Sequence, residues 1–335
     1  MTKVVIADSG TKEQIANWHD FGIRYELDVV MPSTPDEEEL FRLLPDAEVL
    51  VTQKVTIDER MMNAAPKLRL IQKMGSRADN IDLEAAKRRR INVSVVSLPG
   101  SVAVAEHAMM LILACAKKLI LAHELTVKGA YRDLGIEPKL TSQKSHGFQW
   151  MKIPDLQELN GSTLGIFGFG DIGNEIAKRA HAFEMEILYF KRHPLPEKME
   201  EELCVKYVSK EELFKRSDFL VMISPLTPET EKAAGAKEFA LMKPTAYFIN
   251  CCRGGVVDEE ALVETLKNHR IAGAGLDVFV YEPIPYDHPL LSLDNVTLTP
   301  HIAGGKGNAA ERQIYTVLEN IQKYLKNEPL KNLIC

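Results

Sequence analysis

Three polar stretches in the carboxyl half of the chain each follow a short apolar run, and they carry Arg253, Asp277 with Glu282, and His301. An arginine offers a fork of N–H donors to a carboxylate, and a histidine can exchange a proton with a hydroxyl or carbonyl oxygen near neutral pH. A carboxylate beside that histidine would favour its protonated form and fix its orientation. Because an open α/β sheet keeps its ligand at the carboxyl ends of its strands, we expect these side chains to meet at one site.

A glycine-rich turn lies between a predicted strand at 164–167 and a predicted helix at 174–183. Its glycines, Gly168, Gly170 and Gly173, have the G-x-G-x-x-G spacing of dinucleotide-binding loops. The first permits a tight turn, the second lets backbone approach a pyrophosphate, and the third lets helix and strand pack closely. The helix would point its free N–H groups at the phosphates. A plain strand–turn–helix is the alternative, and the flanking patterns favour the dinucleotide site.

The rest of the chain alternates short apolar runs with charged, helix-compatible stretches, which predicts α/β architecture with parallel sheets. A length of 335 residues favours two domains. The predicted strands lie at 4–7, 25–30, 49–52, 70–73, 93–96, 164–167, 186–190, 219–223, 246–250, 273–276 and 296–298.

Several connecting segments have patterns of their own. Pro99, Gly100 and Ser101 interrupt the alternation, and a long apolar helix is predicted after them at about 102–127, crossing between domains or packing against a second copy of the chain. Residues 129–160 carry little periodicity, and we expect an irregular lid or arm, or disorder. The sequence at 227–230 has a helix-start pattern with proline in the first turn. A final helix is predicted at 309–326.

Composition narrows the functional classes. The chain has 45% hydrophobic and 26% charged residues and a net charge of −6, and its only basic run, at 87–90, is typical of a solvated helix face rather than a nucleic-acid site. Five cysteines without paired C-x-x-C spacing suggest neither a disulfide framework nor a zinc site. No secretory signal is visible, and the uncharged stretch at 108–116 is too short for a membrane span. We therefore expect a soluble protein of a reducing compartment, the cytoplasm, with no nucleic-acid or membrane partner.

Taken together, these motifs resemble those of the D-isomer-specific 2-hydroxyacid dehydrogenase family. The stretch 168–173 resembles the family's cofactor loop, 224–230 its nucleotide-edge segment, and 249–258, 275–283 and 298–305 its arginine, glutamate and histidine motifs. They occur in the family's order and cover nearly the whole chain. The combination is far more specific than any one motif.

The resemblance implies two doubly wound α/β domains. A Rossmann-type dinucleotide-binding domain, residues 104–299, would be inserted in a smaller flavodoxin-like substrate-binding domain made of residues 1–103 and 300–335. It also implies a homodimer held largely by the cofactor domain, which would give the long helix a purpose.

The resemblance further implies an NAD(P)-dependent enzyme that acts on CH–OH donors and needs no metal. The nicotinamide would deliver hydride to the C2 carbonyl of a small 2-oxoacid, giving a D-2-hydroxyacid. His301 would donate the proton, Glu282 would keep His301 charged, and Arg253 would bind the substrate carboxylate. Gly75, Ser76 and Arg77 belong to a loop expected to offer backbone N–H groups to the same carboxylate.

Asp277 would hold the nicotinamide carboxamide. The full cofactor-binding set implied by the resemblance is Val104, Gly168, Phe169, Gly170, Asp171, Ile172, Gly173, Lys191, Arg192, Ser224, Pro225, Thr230, Cys251, Cys252, Asp277 and Gly304.

Two positions depart from the family pattern. Arg77 stands where the family usually has glycine, and its side chain would either meet a second anionic group on the substrate or, as we favour, point into solvent. About twenty residues after the glycines, an NAD enzyme has an acidic residue on the ribose. Lys191 and Arg192 occupy that region here, which favours NADP(H) over NAD(H) because cations can bind the 2′-phosphate. A solvated basic turn is the alternative.

The leading interpretation is a reductase of glyoxylate or hydroxypyruvate that prefers NADP(H). A short-form phosphoglycerate dehydrogenase and a non-enzymatic, nucleotide-sensing corepressor are the alternatives, whereas formate dehydrogenases of this fold have glutamine in place of Glu282. His107 is interpreted as an ordinary helix residue near the domain junction. Cys251 and Cys252 are expected to be small buried residues with their backbone near the nicotinamide, not nucleophiles.

Overall fold

The computed structural model describes residues 1–142, 144, 147–305, 307–330 and 332–335. These residues form two compact units: unit 1 comprises Met1–Val102 and Gly304–Cys335, and unit 2 comprises Ala103–Ala303. The predicted insertion of one α/β domain within another is confirmed.

Unit 1 is built on a parallel sheet with the strand order β2-β1-β3-β4-β5, which is the flavodoxin-like order predicted for the smaller domain. Its β-branched strands are buried on both faces, and the helices cover them. The strands are β1 Thr2–Ile6, β2 Leu27–Val30, β3 Val49–Thr52, β4 Leu70–Met74 and β5 Asn92–Val96; the helices are α1 Lys12–Arg24, α2 Glu37–Leu43, α3 Glu59–Ala64, α4 Leu83–Arg88 and the final helix, α12, Ala309–Leu325.

Unit 2 is built on a seven-stranded parallel sheet with the order β12-β11-β10-β9-β6-β7-β8. The chain leaves β6 toward one edge and returns on its other side at β9, so the topological switch point lies between these two strands. The strands are β6 Thr163–Phe167, β7 Glu186–Phe190, β8 Lys206–Tyr207, β9 Phe219–Met222, β10 Tyr247–Asn250, β11 Gly273–Leu276 and β12 Val296–Leu298; the helices are α5 Pro99–Ala116, which begins in unit 1, then α6 Leu119–Lys128, α7 Asp171–His181, α8 Glu197–Leu203, α9 Lys210–Arg216, α10 Ala236–Phe239 and α11 Glu259–Lys267.

The long helix predicted at 102–127 is two helices. Helix α5 begins at Pro99, a few residues earlier than predicted. Proline is tolerated in the first turn of a helix, because the N–H that it lacks would have no partner there. Helix α5 ends at Ala116, and Lys118, with a left-handed φ of 47°, separates it from α6. By length and composition alone α5 could cross a membrane, but its buried residues belong to the core of unit 2.

Other differences from prediction are local. The helix expected from Thr227 is a turn, in which the Thr230 hydroxyl accepts the Thr227 N–H at 2.8 Å and donates to the Pro225 carbonyl at 2.6 Å. The two-residue strand β8 was not predicted, because so short an edge strand has no periodicity to detect. Among the described residues of 129–160, the regular structure is a 3-10 helix at Ala130–Leu134. Residues 143, 145 and 146 of that stretch lie outside the described residues.

Candidate active site

The predicted catalytic side chains follow three neighbouring strands of unit 2. Arg253 comes three residues after β10, Asp277 directly after β11 with Glu282 beyond it, and His301 three residues after β12. Strands β10, β11 and β12 are adjacent and parallel, so their carboxyl ends lie along one edge of the sheet. The fold therefore brings the three polar stretches together.

Glu282 and His301 form a direct ion pair, with 2.5 Å between Glu282 Oε2 and His301 Nδ1. The other carboxylate oxygen of Glu282 accepts the Phe279 N–H at 3.1 Å. Burial raises the pKa of Glu282, but the hydrogen bonds from His301 and Phe279 and the charge of Arg253 outweigh it, and the net pKa lies below its ordinary value. Glu282 engages Nδ1, which leaves Nε2 as the ring nitrogen that can face a substrate.

Arg253 is held at the start of a tight turn with its guanidinium exposed. Asn250, the last residue of β10, donates from its amide to the Arg253 carbonyl at 3.1 Å and accepts the Cys252 N–H at 3.1 Å. At Gly254 a Cβ atom would lie 2.0 Å from the carbonyl oxygen of Phe279. Only glycine allows this approach, and it packs the Arg253 turn against the segment that leads to Glu282.

The glycine turn has the geometry predicted for its three glycines. Gly168 has a φ of 94°, a conformation that side-chain-bearing residues avoid. A Cβ atom at Gly170 would meet nothing within 4 Å, so the backbone there borders open space. A Cβ atom at Gly173 would lie 3.1 Å from the Gly168 carbonyl oxygen, which shows the close packing of α7 on the turn.

The residues at the switch point suit a dinucleotide. A Cβ atom at Gly168 would lie 2.8 Å from the Ser224 nitrogen, so the ends of β6 and β9 approach closely. The Ser224 hydroxyl is buried and has no hydrogen-bond partner among the described residues. With the amino end of α7 and the open space at Gly170, it offers a polar lining for an anionic ligand. Lys191 and Arg192 follow the carboxyl end of β7, and the Arg192 side chain is exposed.

Hydrogen bonds of Tyr189 stabilise the turn that carries Lys191 and Arg192. The buried Tyr189 hydroxyl accepts the Leu195 N–H at 2.8 Å and donates to Glu200 Oε1 at 2.5 Å. Burial and the hydrogen bond to Glu200 raise the pKa of Tyr189, so the hydroxyl stays protonated and can donate. The turn between residues 190 and 195 is thereby closed.

Other residues of the predicted cofactor set have varied surroundings. Phe169 is buried in the core of unit 2, so its side chain is not available and only its backbone can serve a cofactor. The Thr230 hydroxyl donates its hydrogen bond to the Pro225 carbonyl, so toward a cofactor it could only accept. Val104 and Ile172 pack partly buried against the core, Asp171 begins α7, and Gly304 belongs to unit 1.

Burial raises the pKa of Cys252 to about 12 and that of Cys251 further, so both thiols are protonated at neutral pH. A protonated thiol is a poor nucleophile, which agrees with the prediction that neither cysteine is one.

The loop of unit 1 corrects one expectation. Gly75, with a φ of 140°, donates its N–H to the Val96 carbonyl at 2.8 Å, and Ser76 and Arg77 follow it. The Arg77 side chain is only 9% exposed and pairs with Asp79 at 3.2 Å, so the favoured interpretation that it points into solvent is wrong. The sequence could not reveal this burial, because arginine is usually exposed. The role of this loop's N–H groups toward a substrate stays a prediction.

Three polar residues near the site were missed or dismissed from the sequence. Asn250 supports the Arg253 turn, and Thr299 and His107 contact Asp277 at 2.6 and 3.3 Å. A polar residue closing an apolar strand was a usable signal for Asn250. No sequence signal connected His107 with Thr299, which lies 192 positions away.

Comparisons with known proteins agree with this geometry. The sequence model of the D-isomer specific 2-hydroxyacid dehydrogenase NAD binding domain matches residues 109–303. A glyoxylate reductase of Thermococcus gammatolerans is 40% identical over 90% of this chain and 88% of its own length. A D-3-phosphoglycerate dehydrogenase of Methanocaldococcus jannaschii is 37% identical over 100% of this chain, which spans 59% of that relative. The crystal structure of an NADPH-dependent glyoxylate/hydroxypyruvate reductase from Sinorhizobium meliloti, in complex with citrate, is 26% identical over 100% of this chain and 98% of its own, with a TM-score of 0.54.

Proposed function

The chain belongs to the D-isomer-specific 2-hydroxyacid dehydrogenase family, and from this premise we propose that it reduces glyoxylate, hydroxypyruvate or a similar small 2-oxoacid with NADPH. It is an oxidoreductase of CH–OH donors that uses a nicotinamide cofactor and yields a D-2-hydroxyacid. The observation that carries the proposal is the Glu282–His301 ion pair at the strand ends that also bear Arg253. The glyoxylate and hydroxypyruvate reductases among its relatives support the choice of substrate.

The residues divide the reaction as follows. A bound reduced nicotinamide supplies the hydride for C2 of the oxoacid. The exposed Arg253 guanidinium binds the substrate carboxylate and polarises the carbonyl. His301 donates a proton from Nε2 to the carbonyl oxygen, while the Glu282 carboxylate on Nδ1 orients the ring and stabilises its charged form. That Asp277 holds the carboxamide stays a prediction: its side chain is 0% exposed, and Oδ2, which accepts the Ala303 N–H, keeps one further lone pair for this role.

The preference for NADPH rests on the basic turn after β7. The Arg192 side chain is exposed. The hydrogen bond from the Thr227 hydroxyl is the main cause that lowers the pKa of Glu229, and the charge of Arg192 adds a smaller effect, so Arg192 and Glu229 are near enough to interact. A guanidinium at this turn can bind a 2′-phosphate.

We expect Arg192→Ala to weaken NADPH binding about tenfold or more and to leave NADH binding nearly unchanged, because only NADPH carries the phosphate. Fluorescence titration of both cofactors measures this. His193→Ala, a change in the same turn without a permanent charge, is the control. Equal losses for NADPH and NADH would remove the phosphate site.

The function is tested by a matrix of NADPH and NADH against glyoxylate, hydroxypyruvate, pyruvate, phenylpyruvate and phosphohydroxypyruvate. We expect the highest kcat/KM with NADPH and one of the first two acids. A preference for phosphohydroxypyruvate would instead favour the phosphoglycerate dehydrogenase alternative, which the Methanocaldococcus relative supports. Tight nucleotide binding without turnover on any acid would favour the corepressor alternative.

We also propose a homodimer formed through unit 2. Helix α6 has no buried residue, although Leu119, Ile120 and Val127 are large and apolar. The neighbouring Met110 and Phe183 are also exposed. Met110, Leu119 and Phe183 line one surface depression, and exposed apolar surface of this kind is typical of an interface. All five cysteines are free thiols, which supports a reducing compartment such as the cytoplasm.

A further inference from the structure

The side chains of His107, Thr299 and Asp277 contact one another next to the loop that carries His301; Asp277 is buried and the other two are partly buried. His107 Nε2 is 2.9 Å from the Thr299 hydroxyl and 3.3 Å from Asp277 Oδ1. The Thr299 hydroxyl is in turn 2.6 Å from the same carboxylate oxygen. The side chains of His107 and Asp277 are 11% and 0% exposed, so water competes little for these bonds.

The direction of the hydrogen bonds follows from counting protons. A hydroxyl has one proton, and an ionised carboxylate can only accept, so Thr299 donates to Asp277. At the 2.9 Å contact the hydroxyl must then accept, and His107 must carry its proton on Nε2. The chain of hydrogen bonds therefore runs from His107 through Thr299 to Asp277.

Asp277 also accepts hydrogen bonds from the backbone of the His301 loop. Its carboxylate accepts the Ile302 N–H at 3.0 Å and the Ala303 N–H at 2.8 Å. Its backbone carbonyl accepts the His301 N–H at 2.8 Å. His301 has a φ of 53°, in the left-handed region that a residue with a side chain adopts only when its surroundings hold it there. Asp277 therefore holds the loop on both sides of a strained histidine.

We infer that His107 is a positioning residue for His301, acting through Thr299 and Asp277. His107 lies on α5, where Ala105, Ala108 and Leu111 are completely buried in the core of unit 2. It thus ties a loop to a rigid helix, and a loop fixed in this way presents the imidazole to a substrate in one orientation. The inference rests on the proposed function only for the role of His301 as proton donor.

Paired variants separate the hydrogen bond from the packing. His107→Gln keeps an N–H donor at a similar reach, whereas His107→Leu fills similar space without one. We expect kcat to fall about ten- to a hundredfold in His107→Leu and to recover largely in His107→Gln, because a small misplacement of a reacting group has an effect of this size. The solvent deuterium isotope effect on kcat should rise in His107→Leu, since a misplaced His301 makes proton donation slower.

Thr299 provides the second half of the test. Thr299→Val removes the hydroxyl with little change of shape, and it should lower kcat as His107→Leu does. Because both residues act along one chain, the double variant should be no worse than the poorer single variant. His181→Leu is the control: His181 Nε2 lies 2.8 Å from the Leu203 carbonyl in the same unit, away from the site. It should lower thermal stability and leave kcat unchanged.

A measurement on the cofactor-free protein keeps this inference separate from the proposed function. The ring resonances of His301 are assigned in histidine-labelled protein by their loss in His301→Gln. They should move in His107→Leu and Thr299→Val and stay in place in His181→Leu. Unmoved resonances, or a fall in kcat that His107→Gln does not repair, would overturn the positioning role. Absence of oxoacid turnover in the wild type would instead overturn the proposed function and leave the resonance test in force.

Discussion

In the proposed reaction, His301 would donate the proton and Glu282 would hold the His301 ring in place. The carboxylate engages Nδ1 at 2.5 Å, so the imidazole is oriented before a substrate arrives and its other nitrogen faces outward. Arg253, on the neighbouring strand end, is near enough for its charge to contribute to lowering the pKa of Glu282. In the proposed reaction, Arg253 and a protonated His301 would lie beside the carbonyl oxygen as it gains negative charge, and such an arrangement stabilises the transition state.

The role of His301 is tested by His301→Gln. A glutamine keeps much of the size and a hydrogen-bond donor but cannot release a proton, so kcat should fall about a hundred- to ten-thousandfold. NADPH affinity, measured by fluorescence titration, should change little. Near-normal turnover in this variant would dismiss His301 as the proton donor.

Ionisation of Glu282 should make the free energy of unfolding depend on pH under acidic conditions. Its pKa is lower in the folded protein than the ordinary value of 4.5, so the folded state binds its proton less readily than the unfolded state does. Its contribution is therefore fully present above pH 4.5 and is lost as the pH falls through the lowered folded value. Melting temperatures of the wild type and Glu282→Gln, compared across this acid range, should converge as the pH decreases. A gap that does not narrow would contradict the lowered pKa.

At the scale of the elements, short turns after parallel strands carry the site, and glycines decide how closely those turns approach each other. A Cβ atom at Gly254 would lie 2.0 Å from a backbone atom, the carbonyl oxygen of Phe279. A Cβ atom at Gly170 would have no neighbour within 4 Å. The first glycine is therefore a packing requirement. The second leaves room for a ligand.

Alanine at the two positions should separate stability from binding. Gly254→Ala forces backbone apart and should cost about 1–3 kcal/mol of unfolding free energy. Gly170→Ala should keep the melting temperature and weaken NADPH binding about tenfold, because its methyl group enters the space proposed for the pyrophosphate. Denaturant titration and fluorescence titration measure the two effects. Unchanged NADPH affinity in Gly170→Ala would place the phosphates elsewhere.

At the scale of the whole molecule, each of the two units has its own parallel sheet and core, and the inserted unit displays an apolar helix without buried residues. We expect a solution mass about twice the 37.5 kDa of one chain. Leu119→Glu with Ile120→Glu should produce monomers, as measured by light scattering. Ile23→Glu is the matched control, because Ile23 and Leu119 are both 53% exposed but Ile23 lies in unit 1. A monomeric wild type would contradict the dimer.

The insertion of one α/β unit in the other was predicted from the family resemblance. The sequence patterns by themselves determined the alternation of strands and helices, the glycine turn, and the grouping of Arg253, Glu282 and His301. All of these follow from local apolar runs, from glycine spacing, and from the rule that parallel strands end at one edge. The break at Lys118 and the turn at Thr227 escaped the local patterns, because each depends on how a few backbone groups find partners.

Tertiary structure alone decided two polar partnerships that no local pattern predicts. The burial of Arg77 beside Asp79 and the chain from His107 to Asp277 have no signature in composition or spacing. Hydrogen bonds act over about 3 Å, whereas the residues they join can lie anywhere along the chain. Such partnerships exist only once the fold has closed the distance between them.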